Sequence, residues 1–357
     1  MNITFVTTYG QNCGIARYSE TLVAALRRTG ATVTVLGERA ASQRDELAPI
    51  PDARTWTRGG SDFGVTEPCD VLHVQHETGF WRDDRTFHAA VTAARVAGVR
   101  RVVVTVHTPA PLGVGPDVLV AIARDADTVV TLTTAGAEAM RSCGLNAHVA
   151  VDVIPHPVVP RTPMAPDAAW AILREHPSFR ALSPATPFVL CLGFLTSAKR
   201  LFDVIDATRI VPVTLVLAGA MPEHEYGAEG YARVLHEVVR SPAGQHVVLS
   251  IGHVNEDTTT ALYSLAVAAI VPRVWWSGSG AEATALGFGV PVVAGGLREA
   301  DDGEGILPYT SIAHLEQALH RLVTAAPRAV RPQTLATVRS PVAVAEAHLA
   351  LYRRFLS

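Results

Sequence analysis

The stretch "WWSGSGAEATALGFGVPVVAG", residues 275–295, decides how this chain is read. It joins a glycine- and serine-rich turn, a short alanine-rich helix and a valine-rich strand opened by Pro291. Ser277, Gly278, Ser279 and Gly280 lead into the helix, whose first N–H groups lack intrahelical partners and whose dipole end is positive. Such a start suits an anion: glycines let the backbone approach a phosphate closely, and the serines add hydroxyl donors. A serine cap on an ordinary surface helix has the same spelling, so the rest of the chain must discriminate.

Working outward, short β-branched runs alternate with Ala/Leu/Arg-rich helical stretches almost throughout, the pattern of parallel strands covered by helices on both faces. The first half reads as strands "NITFVT", "TVTVLG", "DVLHVQ", "RVVVTVH", "TVVTL" and "AVDVIP". Its helices are expected at "GIARYSETLVAALRRTG", where Gly30 is the stop, and around 85–97, 115–125 and 135–142. Prolines crowd between about 157 and 187, which suggests a linker with one short helix at "DAAWAILREH". A second series follows, with strands "FVLCLGF", "VTLVLAG", "HVVLSIG", "AVAAIVP" and "VPVVAG". The closing "SPVAVAEAHLALYRRFLS" reads as an amphipathic helix begun by Ser340 and Pro341. The expected organisation is two Rossmann-like α/β domains, residues 1–178 and 187–338, with a last helix in 339–357. A ligand cleft is expected at the carboxyl ends of the strands.

Composition narrows the function. The 357 residues carry 30 Lys plus Arg against 33 Asp plus Glu, so no overall field favours nucleic acid or an anionic membrane. Cys13, Cys69, Cys143 and Cys191 are far apart without metal-like spacing, which points to a reducing, cytoplasmic setting. No apolar run approaches the length of a membrane span, and the N-terminus lacks the basic start of a signal peptide.

Chemistry-bearing residues follow the strands. After the first comes "TYGQNCGIARYSE", a second glycine loop with Gly10 and Gly14 around a polar turn. Tyr9, Asn12, His76, Glu77 and the Phe80 and Trp81 pair suggest a polar cup with an aromatic wall for a small polar molecule. His107 and His156 follow two further strands, and a histidine at each of three strand ends is suggestive together. "HVQHE" alternates its side chains between sheet faces, which disfavours a metal site. In the second half, Gly193 ends a strand, Lys199 and Arg200 lie near the next helix start, and Gly219 ends the following strand. A cation at a helix start opposes the dipole, which suggests a bound anion. The polar loop "GLREADDGEG" is expected to close over a ligand.

In this order and spacing, "CGIARYSETL", "HVQHETGF", "VVVTVHT", "VIPHPV", "LGFLTSAKRLFDVIDA", "LVLAG" and "SGSGAEATALGFGVPVVAG" resemble the retaining GT-B glycosyltransferases, the large bacterial group with mannosyltransferase-like and sucrose synthase-like enzymes. The resemblance covers nearly the whole chain. It implies that a nucleotide-diphosphate sugar, UDP- or GDP-linked, is the donor substrate, held mainly by the second domain. The sugar passes, with retention and usually without a metal or other cofactor, to an acceptor held mainly by the first. The last helix usually crosses back to the first domain. His107 and Lys199 then take the catalytic places. Gly14, Gly193, Arg200, Gly219, Ser277, Gly278, Ser279, Gly280, Glu282 and Thr284 belong with the donor, and Tyr9, Asn12, His76, Glu77 and Trp81 with the acceptor.

Two departures stand out. Phe194 occupies the family's arginine position, with Arg200, Arg273 or Arg298 as the candidate substitute, and the family's paired glutamates fall at Trp276 and Thr284. These losses admit an inactive partner subunit or sugar-nucleotide sensor as the alternative, and a homo-oligomer is compatible with either. A sugar-nucleotide epimerase, or a nicotinamide enzyme suggested by "GSGAEA", fits less of the chain.

Overall fold

A computed structural model describes residues 1–77, 79–81, 84–109, 119, 122, 124–142, 149–221, 227–272, 278–295, 305–324 and 339–356. Contacts divide the chain into two units, one of residues 1–157, 275–280 and 339–357, the other of 158–274 and 281–338.

The first unit holds a seven-stranded parallel sheet built from β1 (Asn2–Val6), β2 (Thr32–Glu38), β3 (Ala53–Trp56), β4 (Val71–His76), β5 (Arg101–Val106), β6 (Thr128–Thr131) and β7 (Ala150–Val153). Their order is β3-β2-β1-β4-β5-β6-β7. Helices α1 (Gly14–Arg28), α2 (Asp84–Val96), α3 (Thr134–Ser142) and α10 (Pro341–Leu356) accompany it. β4, at its apolar and polar positions alike, is buried throughout because both sheet faces are covered. One face packs Val74, Val104, Trp56, Phe63, Trp81 and Phe87, and the other packs Phe5, Val35 and Val103 under α1 and α10.

α1 forms because Ala16, Leu22, Val23 and Leu26 recur on one face, Arg27 and Arg28 complement its dipole, and Gly30 beyond it takes a positive φ. Its N-cap is Cys13, whose sulfur accepts from the Ala16 N–H at 3.3 Å. α10 starts as its sequence suggests, with Ser340 Oγ accepting from the Ala343 N–H at 3.2 Å and Pro341 in the first turn. Its Leu349 and Tyr352 pack with Leu22 and Val23 of α1.

The second unit holds a six-stranded parallel sheet of β8 (Phe188–Leu192), β9 (Thr214–Gly219), β10 (Val247–Ile251), β11 (Ala268–Val271), β12 (Val292–Gly295) and β13 (Ile306–Tyr309), in the order β10-β9-β8-β11-β12-β13. Its helices are α4 (Pro166–Glu175), α5 (Leu201–Thr208), α6 (Ala228–Arg240), α7 (Glu256–Leu265), α8 (Gly280–Gly287) and α9 (Ile312–Thr324). The proline-rich segment after 157 is not an extended linker here. Val158, Leu173, Phe179 and Leu182 enter the core beside Leu262 and Leu286, and α4 packs on α7.

Strand order reverses between β1 and β4 in one sheet and between β8 and β11 in the other. Loops after β1 and β8 therefore stand where ligands bind in open parallel sheets. Two edge strands, β3 and β13, are additional to the sequence reading: "ARTW" and "ILPY" are too short and mixed to give a period-2 signal. Of the helix expected around 115–125, residues 119, 122, 124 and 125 are helical, and the rest lies outside the described residues, as does the loop 296–304. Among the described residues no helix is long and apolar enough to cross a membrane.

Candidate functional site

In the second unit the site forms at the ends of β8 and β9. Gly193 and Gly219 both take positive φ, 120° and 146°, as the backbones of the two strand ends converge. A Cβ on Gly219 would overlap the Gly193 carbonyl, so glycine is required there. Beyond Gly193 the chain makes a single 3-10 turn, Ser197–Lys199, before α5. That turn folds Lys199 back until its Nζ lies 3.4 Å from where a Gly193 Cβ would stand. The lysine is half-buried, and burial lowers its pKa from the ordinary value. Among the described residues no carboxylate pairs with it. A desolvated ammonium without a counter-charge, over a strand end with no side chain, is a place for an anion from outside the protein.

Arg200 behaves differently. It is the one described non-glycine residue with positive φ, and its guanidinium pairs at 2.6 Å with Asp203 in the first turn of α5. Phe194 exposes its ring. Glu282 is buried in the first turn of α8, where a carboxylate complements the dipole, and Thr284 is half-buried two positions on. Arg273, Trp276, Ser277 and Arg298 lie outside the described residues.

In the first unit, the loop after β1 is anchored from beneath. Glu20 of α1 accepts from the Gly10 N–H at 3.0 Å and pairs at 3.0 Å with Arg44, which also donates to the Gln11 carbonyl at 3.1 Å. Both ionic side chains are almost fully buried, so the pair fixes the loop that delivers Asn12 and Gly14, both exposed, to the start of α1. A Cβ on Gly14 would meet nothing within 4 Å.

His107 follows β5. Its Nε2 donates to Gln75 Oε1 at 2.9 Å, and its backbone N–H donates to the His76 carbonyl at 3.0 Å. Burial, reinforced by the nearby His156 and His76, depresses its pKa to about 3. The Tyr18 ring presents its edge to both His107 and His156, at 5.1 and 5.2 Å between centroids. His156 Nδ1 donates to the Pro157 carbonyl at 3.0 Å, and its Nε2 lies 3.8 Å from where a Gly280 Cβ would stand. Gly278 of the Ser-Gly turn rests on Leu132, whose side chain would be 2.6 Å from an added Cβ. The turn residues 278–280 thus group by contact with the first unit.

Behind His107 lies a buried polar layer that the sequence reading missed. Tyr18 Oη meets His348 Nε2 of α10 at 3.2 Å, His73 Nδ1 meets Tyr352 Oη at 2.6 Å, and His73 Nε2 meets Thr105 Oγ1 at 2.7 Å. Its signal was present as polar residues at alternate positions, His73 and Gln75, in an otherwise apolar strand.

The expected aromatic wall is corrected. Phe80 and Trp81 are buried among Trp56, Phe63 and Phe87, as five large rings pack together beneath the loop. His76 is buried beside them and donates Nε2–H to the Trp81 carbonyl at 3.2 Å, with its pKa pushed down by burial to about 4. Tyr9 is also buried. Of the five acceptor candidates, Asn12 is exposed and Glu77 half-buried, the latter accepting from Thr108 Oγ1 at 2.7 Å.

The fold is that of the GT-B glycosyltransferases: two parallel α/β sheets of this topology, aligned over the full chain with solved members. Sucrose-phosphate synthase from Thermosynechococcus elongatus superposes with a TM-score of 0.74 at 17% identity, over 99% of this chain and 98% of that one. HepE of Anabaena, solved in complex with UDP and glucose, gives 0.72 at 17% identity over 99% and 100%. A UDP-forming α,α-trehalose-phosphate synthase from Burkholderia xenovorans gives 0.68 at 12% over 100% and 99%. A scan against protein-family models finds no match, and a search of the curated proteins finds none.

Proposed function

We propose that this protein is a glycosyltransferase that moves a sugar from a nucleotide-diphosphate donor to a small polar acceptor (a sugar, cyclitol or natural product) with retention and without a metal. The observation that carries the reading is Lys199, a half-buried ammonium with no carboxylate partner among the described residues, over Gly193 at the strand-order reversal of the second sheet. Cleaving a glycosyl phosphate bond develops charge on the departing diphosphate, and a preorganised cation in a dry site stabilises that charge more in the transition state than in the ground state. Gly193 and Gly219 give backbone access there, and Arg200 is a lesser contributor because Asp203 neutralises it.

Gly14 and the sequence Ser277, Gly278, Ser279 and Gly280 are assigned to donor binding. Glu282 and Thr284 complete the donor's nucleotide side. His107 faces the transferred sugar. Asn12 and Glu77 serve the acceptor, Glu77 being suited to an amino group. UDP is the first donor to test, since HepE is solved with UDP and glucose and the trehalose-phosphate synthase is described as UDP-forming. We place the protein in the cytoplasm on its widely spaced cysteines.

An inactive partner subunit remains the second reading, favoured by the exposed Phe194 ring where the related arginine stands. Both are tested by incubating the protein with UDP- and GDP-sugars and a panel of sugar, cyclitol and aminocyclitol acceptors, with NMR of any product. An α-configured product from an α-linked donor supports transfer with retention. An inverted product refutes retention, and binding without transfer selects the inactive subunit.

A further inference from the structure

The polar side chains around His107 each have a hydrogen-bond partner, while Gln75 Nε2, His76 Nδ1 and His348 Nδ1 are buried without one among the described residues. From α1, Tyr18 offers only its ring edge, because its hydroxyl meets His348. From β4, His76 is bound to the Trp81 carbonyl, and His73 is held between Tyr352 and Thr105. After β7, His156 donates to the Pro157 carbonyl. Among these neighbours, Gln75 alone hydrogen-bonds the imidazole with a side chain, from a position on β4 that is fully buried. The charges that act on the ring come from histidines, and no carboxylate is among them.

We propose that Gln75 is a positioning residue that holds His107 in one neutral tautomer, with Nε2–H directed into the amide oxygen and an unprotonated Nδ1 left to accept a hydrogen bond from a hydroxyl of the bound sugar. The imidazole is then an acceptor. It is neither a cation for the diphosphate nor a source of a proton, because burial and the neighbouring histidines oppose an imidazolium and the amide oxygen carries no full charge to offset them. Proton release from the acceptor must be handled elsewhere, which agrees with a diphosphate leaving group taking up that proton. The role of Gln75 rests on the glycosyltransferase reading; the tautomer itself does not.

The tautomer is read without substrate. In protein labelled with 15N-histidine, two-bond 15N–1H correlations separate the two neutral forms, and His107→Asn identifies the signal. The expected result is an Nε2–H imidazole that does not titrate between pH 5.5 and 8. An Nδ1–H form, or a titration in that interval, overturns the proposal whatever the activity. The role is read in Gln75→Glu, which places a carboxylate against Nε2–H and favours the imidazolium. His107 should then titrate in the accessible range, and kcat should fall roughly tenfold or more as pH drops through the new inflection while donor KM stays within about twofold. Wild-type protein should show no such inflection, and Gln75→Leu should mix the tautomers and lower kcat without one. A wild-type kcat and pH profile in Gln75→Glu, with the fold intact, would refute the positioning role. Absence of any transfer by the wild type would instead count against the functional reading and leave the tautomer result standing.

Discussion

Acidification should unfold the first unit well before the second. Four histidines there are buried as neutral rings: His76, with its pKa near 4, His107 and His348, both near 3, and His73, held well below the ordinary range. Burial is the leading cause in each. Their folded values lie below the unfolded value of about 6.5, so the unfolded chain binds more protons between the two. The stability they contribute is complete above about pH 6.5 and is lost as pH falls towards the folded values. At pH 5.5 an unfolded imidazole gains about 1.4 kcal/mol from protonation that a ring with a folded value near 3 or 4 does not. The three rings with values near 3 or 4 give about 4 kcal/mol, and His73 adds in the same direction, together comparable with the whole stability of a small domain.

The second unit has one described histidine shifted this way, His246, and it is only partly buried. Differential scanning calorimetry between pH 8 and 5.5 should therefore show a transition assigned to the first unit moving down by roughly 10–20 °C, on about 2–4 °C per kcal/mol for units of this size. The second transition should move much less. His348→Gln should remove about 1.4 kcal/mol of the pH dependence at pH 5.5 whatever it does to stability at pH 8. An unchanged first transition across this range would show that these rings are solvated or protonated in the folded state and would refute the reasoning.

Trp81→Ala should lose about 3–5 kcal/mol in urea titration by emptying the centre of a five-ring cluster, with no separate effect on acceptor KM in protein that remains folded. Gly219→Ala should fail to fold or lose more than about 3 kcal/mol, since its Cβ meets the Gly193 carbonyl and its φ is 146°; circular dichroism and melting check it. Gly14→Ala should keep the melting temperature, since its Cβ meets nothing, yet weaken UDP binding measured by calorimetry if a phosphate approaches the α1 start.

Much of the fold was legible because buried parallel strands are written as Val/Ile/Leu-rich runs: "RVVVTVH" and "VTLVLAG" exceed β5 and β9 by one residue each. The edge strands β3 and β13 lack that signature because an edge needs no second apolar face. The strand ends were legible where backbone geometry demands a residue type, as at Gly193 and Gly219. The sequence was misleading at His76 and Trp81, because a strand-end histidine and an aromatic pair have the same spelling in a core as in a binding wall. The tyrosines and histidines of the buried layer come from "GIARYSE", "DVLHVQ" and the last helix, so no local window contains them together.

The central claim is that Lys199 stands ready for a donor diphosphate. Isothermal titration of UDP, GDP and UDP-glucose into the wild type and Lys199→Met addresses it directly. The account predicts binding of a nucleoside diphosphate by the wild type and at least tenfold weaker binding by the variant, on the order of 1.4 kcal/mol or more for loss of a charge-assisted contact. The variant's ligand-free melting temperature should not fall, because removing an unpaired, desolvated ammonium takes away a burial penalty. Equal affinity in the variant, or no binding by the wild type, would contradict it.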